Sequence, residues 1–148
     1  PTVYYHFPTK EDLFIAALRQ HDEENIRPVG REEGAIADIG PRAEAGVQRT
    51  NYARLYNELA GAAADPDHPA NAFHRERWMR SIQVIATDIR RLQSEGKVAA
   101  DIDADANAHL ILASWEGLQL KWMQGPEFDI RAQLEQLVRA LLGPDALM

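Results

Sequence analysis

A chain of 148 residues, 45% hydrophobic and 26% charged, is long enough for one domain with a sizeable core, and its composition is that of an ordinary globular protein, so disorder is not the expectation. A net charge of −7, with an isoelectric point near 5.2, means that most of the surface repels a polyanion. The lack of cysteine excludes a disulfide framework, a thiolate metal site and a cysteine nucleophile. No basic-then-apolar leader opens the chain and no run approaches the ~18 apolar residues of a membrane helix, so a cytoplasmic protein with no membrane partner is expected.

The chain opens on Thr2-Val3-Tyr4-Tyr5-His6-Phe7-Pro8-Thr9-Lys10-Glu11-Asp12-Leu13, aromatic residues running into a helix start. Thr9 stands at an N-cap position, and Glu11 and Asp12 place negative charge beside the open amides of a helix N-terminus. The tyrosine hydroxyls, the His6 imidazole and the nearby Lys10 cation form a set suited to gripping phosphates. A first helix is predicted from about Lys10 to Glu24, with Leu13, Phe14, Ala17 and Leu18 on one face and charge on the other. Pro28, Gly30, Gly34, Gly40 and Pro41 then predict a loop, with room for a short helix between Arg31 and Ile39.

From Arg42 to Ala63 the set Tyr52, Leu55, Tyr56, Leu59 and Ala63 recurs at helical spacing in an alanine-rich stretch, so one helix is predicted there. Asp65-Pro66-Asp67-His68-Pro69 ends it, because each proline removes an amide donor and disfavours helix in the residue before it. A long helix follows from about Ala70 to Glu95, with Trp78, Ile82, Ile85, Ile89 and Leu92 in one stripe and Gly96 as its stop. Behind the acidic entrance Asp101-Ile102-Asp103, a helix from Ala104 to Gln124 carries two stripes. Ile111, Trp115, Leu118 and Trp122 form one, and Leu110, Ala113, Gly117 and Leu120 the other. A helix apolar on two faces is buried on two sides, one against its own fold and one against a partner. The last helix, about Asp129 to Leu142, aligns Ile130, Leu134, Leu137, Val138 and Leu141. No alternating segment of useful length appears, so the fold class is all-α, a compact helical bundle.

Little in this pattern speaks for catalysis. Asp65, Asp67 and His68 cluster in a proline-rich turn without a second pair of ligands, and His74 and Glu76, two apart on a helix, do not share a face. The serines lie in helical patterns without a nucleophile turn, and no glycine-rich phosphate loop is present. The expectation is no enzyme, no metal and no cofactor. A ligand cavity fits better: Tyr52 and Tyr56 on one helix, Trp78 and Ile85 on another, and Trp115 with Gln119 on a third offer a largely apolar wall with a few hydrogen-bonding tips. The same aromatics also suit a solid core.

The opening run resembles the end of the recognition helix, the turn and the start of the fourth helix in TetR-family transcriptional regulators. The segment from Trp115 to Trp122, with the Gly-Pro-Glu-Phe step and the last helix, is similar to the final two helices of many members. The resemblance implies a one-component regulator, most often a repressor, with residues 1–24 forming the tail of a helix-turn-helix head and its linking helix. Residues 25–148 would form a ligand-binding and dimerisation domain. It further implies that the chain is a fragment that starts inside the recognition helix.

Carried over by position, Thr2, Tyr4, Tyr5, His6 and Lys10 would contact operator DNA in the complete protein, and a partly apolar small-molecule effector would occupy the C-terminal domain. The last two helices would pair across a two-fold axis in a homodimer, with Leu110, Gly117, Leu134, Leu137 and Leu141 as seam candidates. The acidic balance leaves one alternative, a helical small-molecule-binding or scaffolding dimer that does not bind DNA.

Overall fold

The computed structural model describes residues 7–25, 34–125 and 127–148. Among them the order is α1 (Lys10–Asn25), α2 (Ile39–Gln48), α3 (Thr50–Ala62), α4 (Ala70–Ser94), α5 (Ala104–Gln124), α6 (Ile130–Leu142) and a closing 3-10 turn, Pro144–Leu147, with no strand. The all-α bundle expected from the sequence is what forms. No helix among the described residues is long and apolar enough to cross a membrane.

Local chemistry fixes the ends. The Thr9 hydroxyl accepts from the Asp12 amide at 3.1 Å, and the Asp12 carboxylate accepts from the Thr9 amide at 3.1 Å, a reciprocal cap that satisfies two amides. Asp103 caps α5 by accepting from the amides of Asp105 and Ala106, and Asp129 caps α6 by accepting from that of Ala132. In the proline turn, Asp65 accepts from the Asp67 amide, and His68 Nδ1 accepts from the Ala70 amide at the start of α4. Those side chains thus serve the turn itself. α4 stops at Gly96 (φ 74°), where the Lys97 amide reaches back to the Leu92 carbonyl at 3.0 Å, a closure that needs a left-handed residue.

Two expectations are corrected. The single helix predicted from Arg42 to Ala63 is two, broken at Arg49 (φ −87°, ψ 58°), with neither glycine nor proline at the break. Gly40 and Pro41, read as loop residues, instead lie in the first turn of α2, where proline is tolerated because its missing amide has no helical acceptor. Gly40 also lets α2 lie close on α6: a Cβ there would meet the Glu135 side chain at 2.8 Å from Cγ.

The main core unites α2, α4, α5 and α6 around Ile36, Ile39, Ile85, Ile89, Leu92, Ile111, Leu134 and Val138. A smaller core joins α1, α3 and the start of α4 through Leu18, Tyr56, Leu59, Ala70 and Phe73, with Phe14, Ile15, Tyr52 and Leu55 packed beside it. Asp88 of α4, fully buried, ties the turn before α2 into the main core: it accepts from the Ile36 amide at 2.8 Å and the Gly34 amide at 3.3 Å, and pairs with Arg91 at 2.8 Å.

Candidate ligand cavity and surfaces

A cavity of about 330 Å³ opens where the two cores meet. The end of α1 (His21, Asp22), the turn at Ala35, the face of α2 from Ile39 to Arg49, and parts of α3, α4 and α5 wall it. Tyr52, Tyr56, Ile85, Trp115 and Gln119 all line it. Trp78 does not. Its position on α4 is one residue past Arg77, which turns it about 100° around the axis, and its ring lies 5.7 Å from that of His109 on α5.

The polar end of the cavity is a charged network that the sequence reading did not identify. Asp22, 2% exposed, accepts from the Tyr52 hydroxyl at 2.8 Å and from Arg77 Nε at 2.9 Å, with Arg80 at 3.8 Å. Arg77 Nη1 donates to the Tyr56 hydroxyl at 3.0 Å and lies 3.6 Å from Glu116 of α5, and Tyr56 donates to Glu116 at 2.6 Å. The Arg77 guanidinium also sits over the Tyr56 ring, 4.3 Å from its centroid. Four helices are therefore joined by one network: α1 through the buried Asp22, α3 through Tyr52 and Tyr56, α4 through Arg77, and α5 through the partly exposed Glu116.

Burial raises the pKa of both tyrosines, so their hydroxyls stay protonated donors. Burial works against the charge on Arg77, but the anionic neighbours outweigh it and hold the guanidinium cationic. His21 stacks on Tyr52 with centroids 3.6 Å apart, and burial followed by the charge of Arg49 lowers its pKa. Behind Tyr56, His74 is pushed down to about 4 by burial and then by Arg77. Both imidazoles are neutral at pH 7.

A signal for the missed residues does exist. Phe14, Leu18 and Asp22 follow one another at steps of four, so Asp22 falls on the apolar face of α1 although its neighbours His21, Glu23 and Glu24 make the segment look solvated. Arg77 likewise stands four residues after Phe73 and seven before Val84, inside the buried stripe of α4. Among the described residues no group of three or more histidine or acidic side chains is placed to hold a metal ion.

The predicted DNA-contacting residues Thr2, Tyr4, Tyr5 and His6 lie outside the described residues. Lys10 is exposed in the first turn of α1, its ammonium 5.0 Å from the Phe14 ring centroid. Of the seam candidates, Leu110 is 54% exposed and Gly117 has, among the described residues, nothing within 4 Å of where a side chain would begin. Leu120, 40% exposed, and Ala113 continue that face of α5, while Leu137 and Leu141 of α6 are half-buried against the main core. Leu134 is corrected: it is fully buried in the chain's own core, because the steps of four through Ile130, Leu134, Val138 and Leu142 form the inward face of α6.

A family described as the C-terminal domain of BetI-type transcriptional repressors matches residues 59–143, more than half of the chain and the whole span from the end of α3 to the end of α6. No curated protein and no solved structure gives a significant match.

Proposed function

Because the chain belongs to the family of BetI-type, TetR-like transcriptional regulators, we propose that it is the regulatory body of a ligand-responsive repressor, which binds operator DNA as a cytoplasmic homodimer and releases it when a small molecule fills the cavity. One observation carries the ligand-responsive part: α1, the helix that links the head to the body in this reading, contributes His21 and Asp22 directly to the cavity wall. A ligand that prefers one placement of α1 shifts the separation of the two heads, and the spacing of DNA half-sites is fixed by the duplex. The exposed apolar face of α5, with Leu110, Ala113, Gly117 and Leu120, is the surface this reading assigns to the partner subunit. Thr2, Tyr4, Tyr5, His6 and Lys10 are assigned to the DNA contact.

The test is an operator titration of the complete dimer with and without a cavity ligand. The reading requires at least a tenfold loss of operator affinity on saturation; tight ligand binding that leaves operator affinity unchanged rules out the coupling. Failure to bind any duplex more tightly at specific than at random sequence would favour the non-DNA-binding dimer that the net charge of −7 allows.

A further inference from the structure

The two halves of α1 are attached to the body in different ways. The first half presents Phe14, Ile15 and Leu18 to the smaller core, and Leu18 is fully buried. Residues 19–25 carry no aliphatic side chain, so polar contacts and the His21 ring hold the second half. Its last turn crowds three carboxylates, Asp22, Glu23 and Glu24, against the negative end of the helix dipole, with no lysine or arginine to offset them. Local preference works against this turn, and its attachment to the body has to compensate.

Of the three carboxylates Asp22 alone is buried, and it accepts from the Tyr52 hydroxyl at 2.8 Å and from Arg77 Nε at 2.9 Å. The Arg19–Glu76 pair between the same helices, at 3.2 Å, is exposed and screened by water, so it holds little. Asp22, Tyr52 and Arg77 all line the cavity. The tyrosine hydroxyl and the Nε each have one proton to donate, so an acceptor on a bound molecule that takes either takes it from Asp22. A carboxylate deprived of these donors is costly to keep buried, since Arg80 comes no nearer than 3.8 Å. Asp22 stands three residues from the end of α1, so its departure to water releases a turn that the dipole already disfavours.

We propose that Asp22 is the latch through which the cavity controls α1. Closed on Tyr52 and Arg77, it fixes the last turn of the linking helix; a bound molecule whose hydrogen-bond acceptor takes either donor opens it. The closed and open placements of that turn are the two arrangements that cavity and head both bias. The inference rests on the ligand-responsive reading and names the residue that transmits its signal.

Two measurements test the latch with no ligand added. Asp22→Asn keeps the size of the side chain and removes its charge, and hydrogen exchange of this chain should show the Glu23 and Glu24 amides losing at least tenfold in protection. In the complete dimer the same variant should weaken operator binding at least tenfold. Tyr52→Phe, which withdraws one donor as a bound acceptor would, should reproduce part of that loss. Arg77→Lys keeps the charge without the guanidinium fork and should lose less than Arg77→Met. Glu76→Gln, which removes the exposed ion pair between the same two helices, should change nothing. Ile89→Val, in the main core, lowers the melting temperature without touching the network, and should leave both amides and operator affinity as in the wild type. Unchanged protection in Asp22→Asn overturns the latch. Lost protection with wild-type operator affinity, in Asp22→Asn or Tyr52→Phe, overturns its control of the head. An equal loss of affinity in Ile89→Val reduces the effect to general instability and overturns it too. A wild-type dimer that binds no operator defeats the ligand-responsive reading and the control with it, while the exchange result still decides whether Asp22 holds α1.

Discussion

Arg77 of α4 donates to Asp22 of α1 across 2.9 Å, and this contact holds the last turns of α1 to the body of the molecule. Asp22 is almost wholly buried, so its charge depends on Arg77 and on the Tyr52 hydroxyl. Replacing Arg77 by methionine leaves the buried Asp22 carboxylate only the Tyr52 hydroxyl and the more distant Arg80, and a loss of about 3 kcal/mol is expected in urea unfolding. Asp22→Asn should cost less, about 1–3 kcal/mol, because Arg77 keeps Glu116 and Tyr56. The double variant should be more stable than the sum of the two losses predicts; strict additivity would mean that the pair does not couple.

His74 gives the stability a pH dependence of definite sign. Its pKa is lowered from 6.5 to about 4 in the folded chain by burial and by Arg77, and its buried Nε2 has no hydrogen-bond partner among the described residues. The unfolded chain therefore binds the proton more readily, so stability is unaffected by this residue above about pH 6.5 and falls as the pH drops from there toward 4. The ring is only half withdrawn from water, and screening limits the effect to about 2 kcal/mol. His74→Phe should remove this part of the slope between pH 6.5 and 4.5 in denaturant melts, and an unchanged slope would place the effect on other groups.

Much of the fold is legible in the residues because helix ends and apolar stripes are local properties. The start of α1 at Thr9, the proline turn, the stop at Gly96 and the span of α5 follow from side chains that cap or break within a few residues of where they stand. The break at Arg49 is not legible, since only tertiary packing demands it: it lets α2 face α6 while α3 turns toward α1 and α4. The cavity was half legible. Tyr52, Tyr56, Ile85, Trp115 and Gln119 stand on stripes that periodicity exposes, whereas Asp22, Arg77 and Glu116 are charged residues whose burial depends on one another. A carboxylate inside an apolar stripe is the trace such a network leaves in sequence. Trp78 shows the converse: an aromatic on the right helix faces the wrong way for the cavity.

Asp88 should prove to be the anchor of the turn before α2. Asp88→Ala leaves the buried amide of Ile36 and the amide of Gly34 without their acceptor, and a loss of about 2–3 kcal/mol is expected. Hydrogen exchange of Ile36 distinguishes a local from a global effect. Its protection should fall further than that of Ile111, which lies in the centre of the same core. Equal loss at both sites would show that Asp88 supports the whole core rather than the turn.

The exposed face of α5 predicts a change of assembly without a change of fold. Leu110 and Leu120 are 54% and 40% exposed, so exchanging both for glutamate should alter the stability of the isolated chain by no more than about 0.5 kcal/mol. In a dimer paired through this face, four carboxylates would be forced into one apolar seam, and sedimentation velocity should show dissociation at micromolar concentration. A dimer of unchanged affinity would move the interface elsewhere.

Lys10 tests the DNA assignment without relying on any residue upstream of it. It is exposed in the first turn of α1, where the reciprocal cap of Thr9 and Asp12 fixes the backbone, so truncation of its side chain should not unfold the helix. A lysine that neutralises one phosphate releases about one counterion, and in the complete regulator Lys10→Ala should flatten the slope of log K against log salt by about one unit per subunit. The loss should be similar on specific and random duplexes, because a phosphate contact carries no base information. Its ammonium also lies over the Phe14 ring, 5.0 Å from the centroid, and that contact is local to α1. Phe14→Leu would remove the ring and keep the charge, so an unchanged salt slope is expected there. If Lys10→Ala and Phe14→Leu behave alike, Lys10 serves the helix and not the DNA.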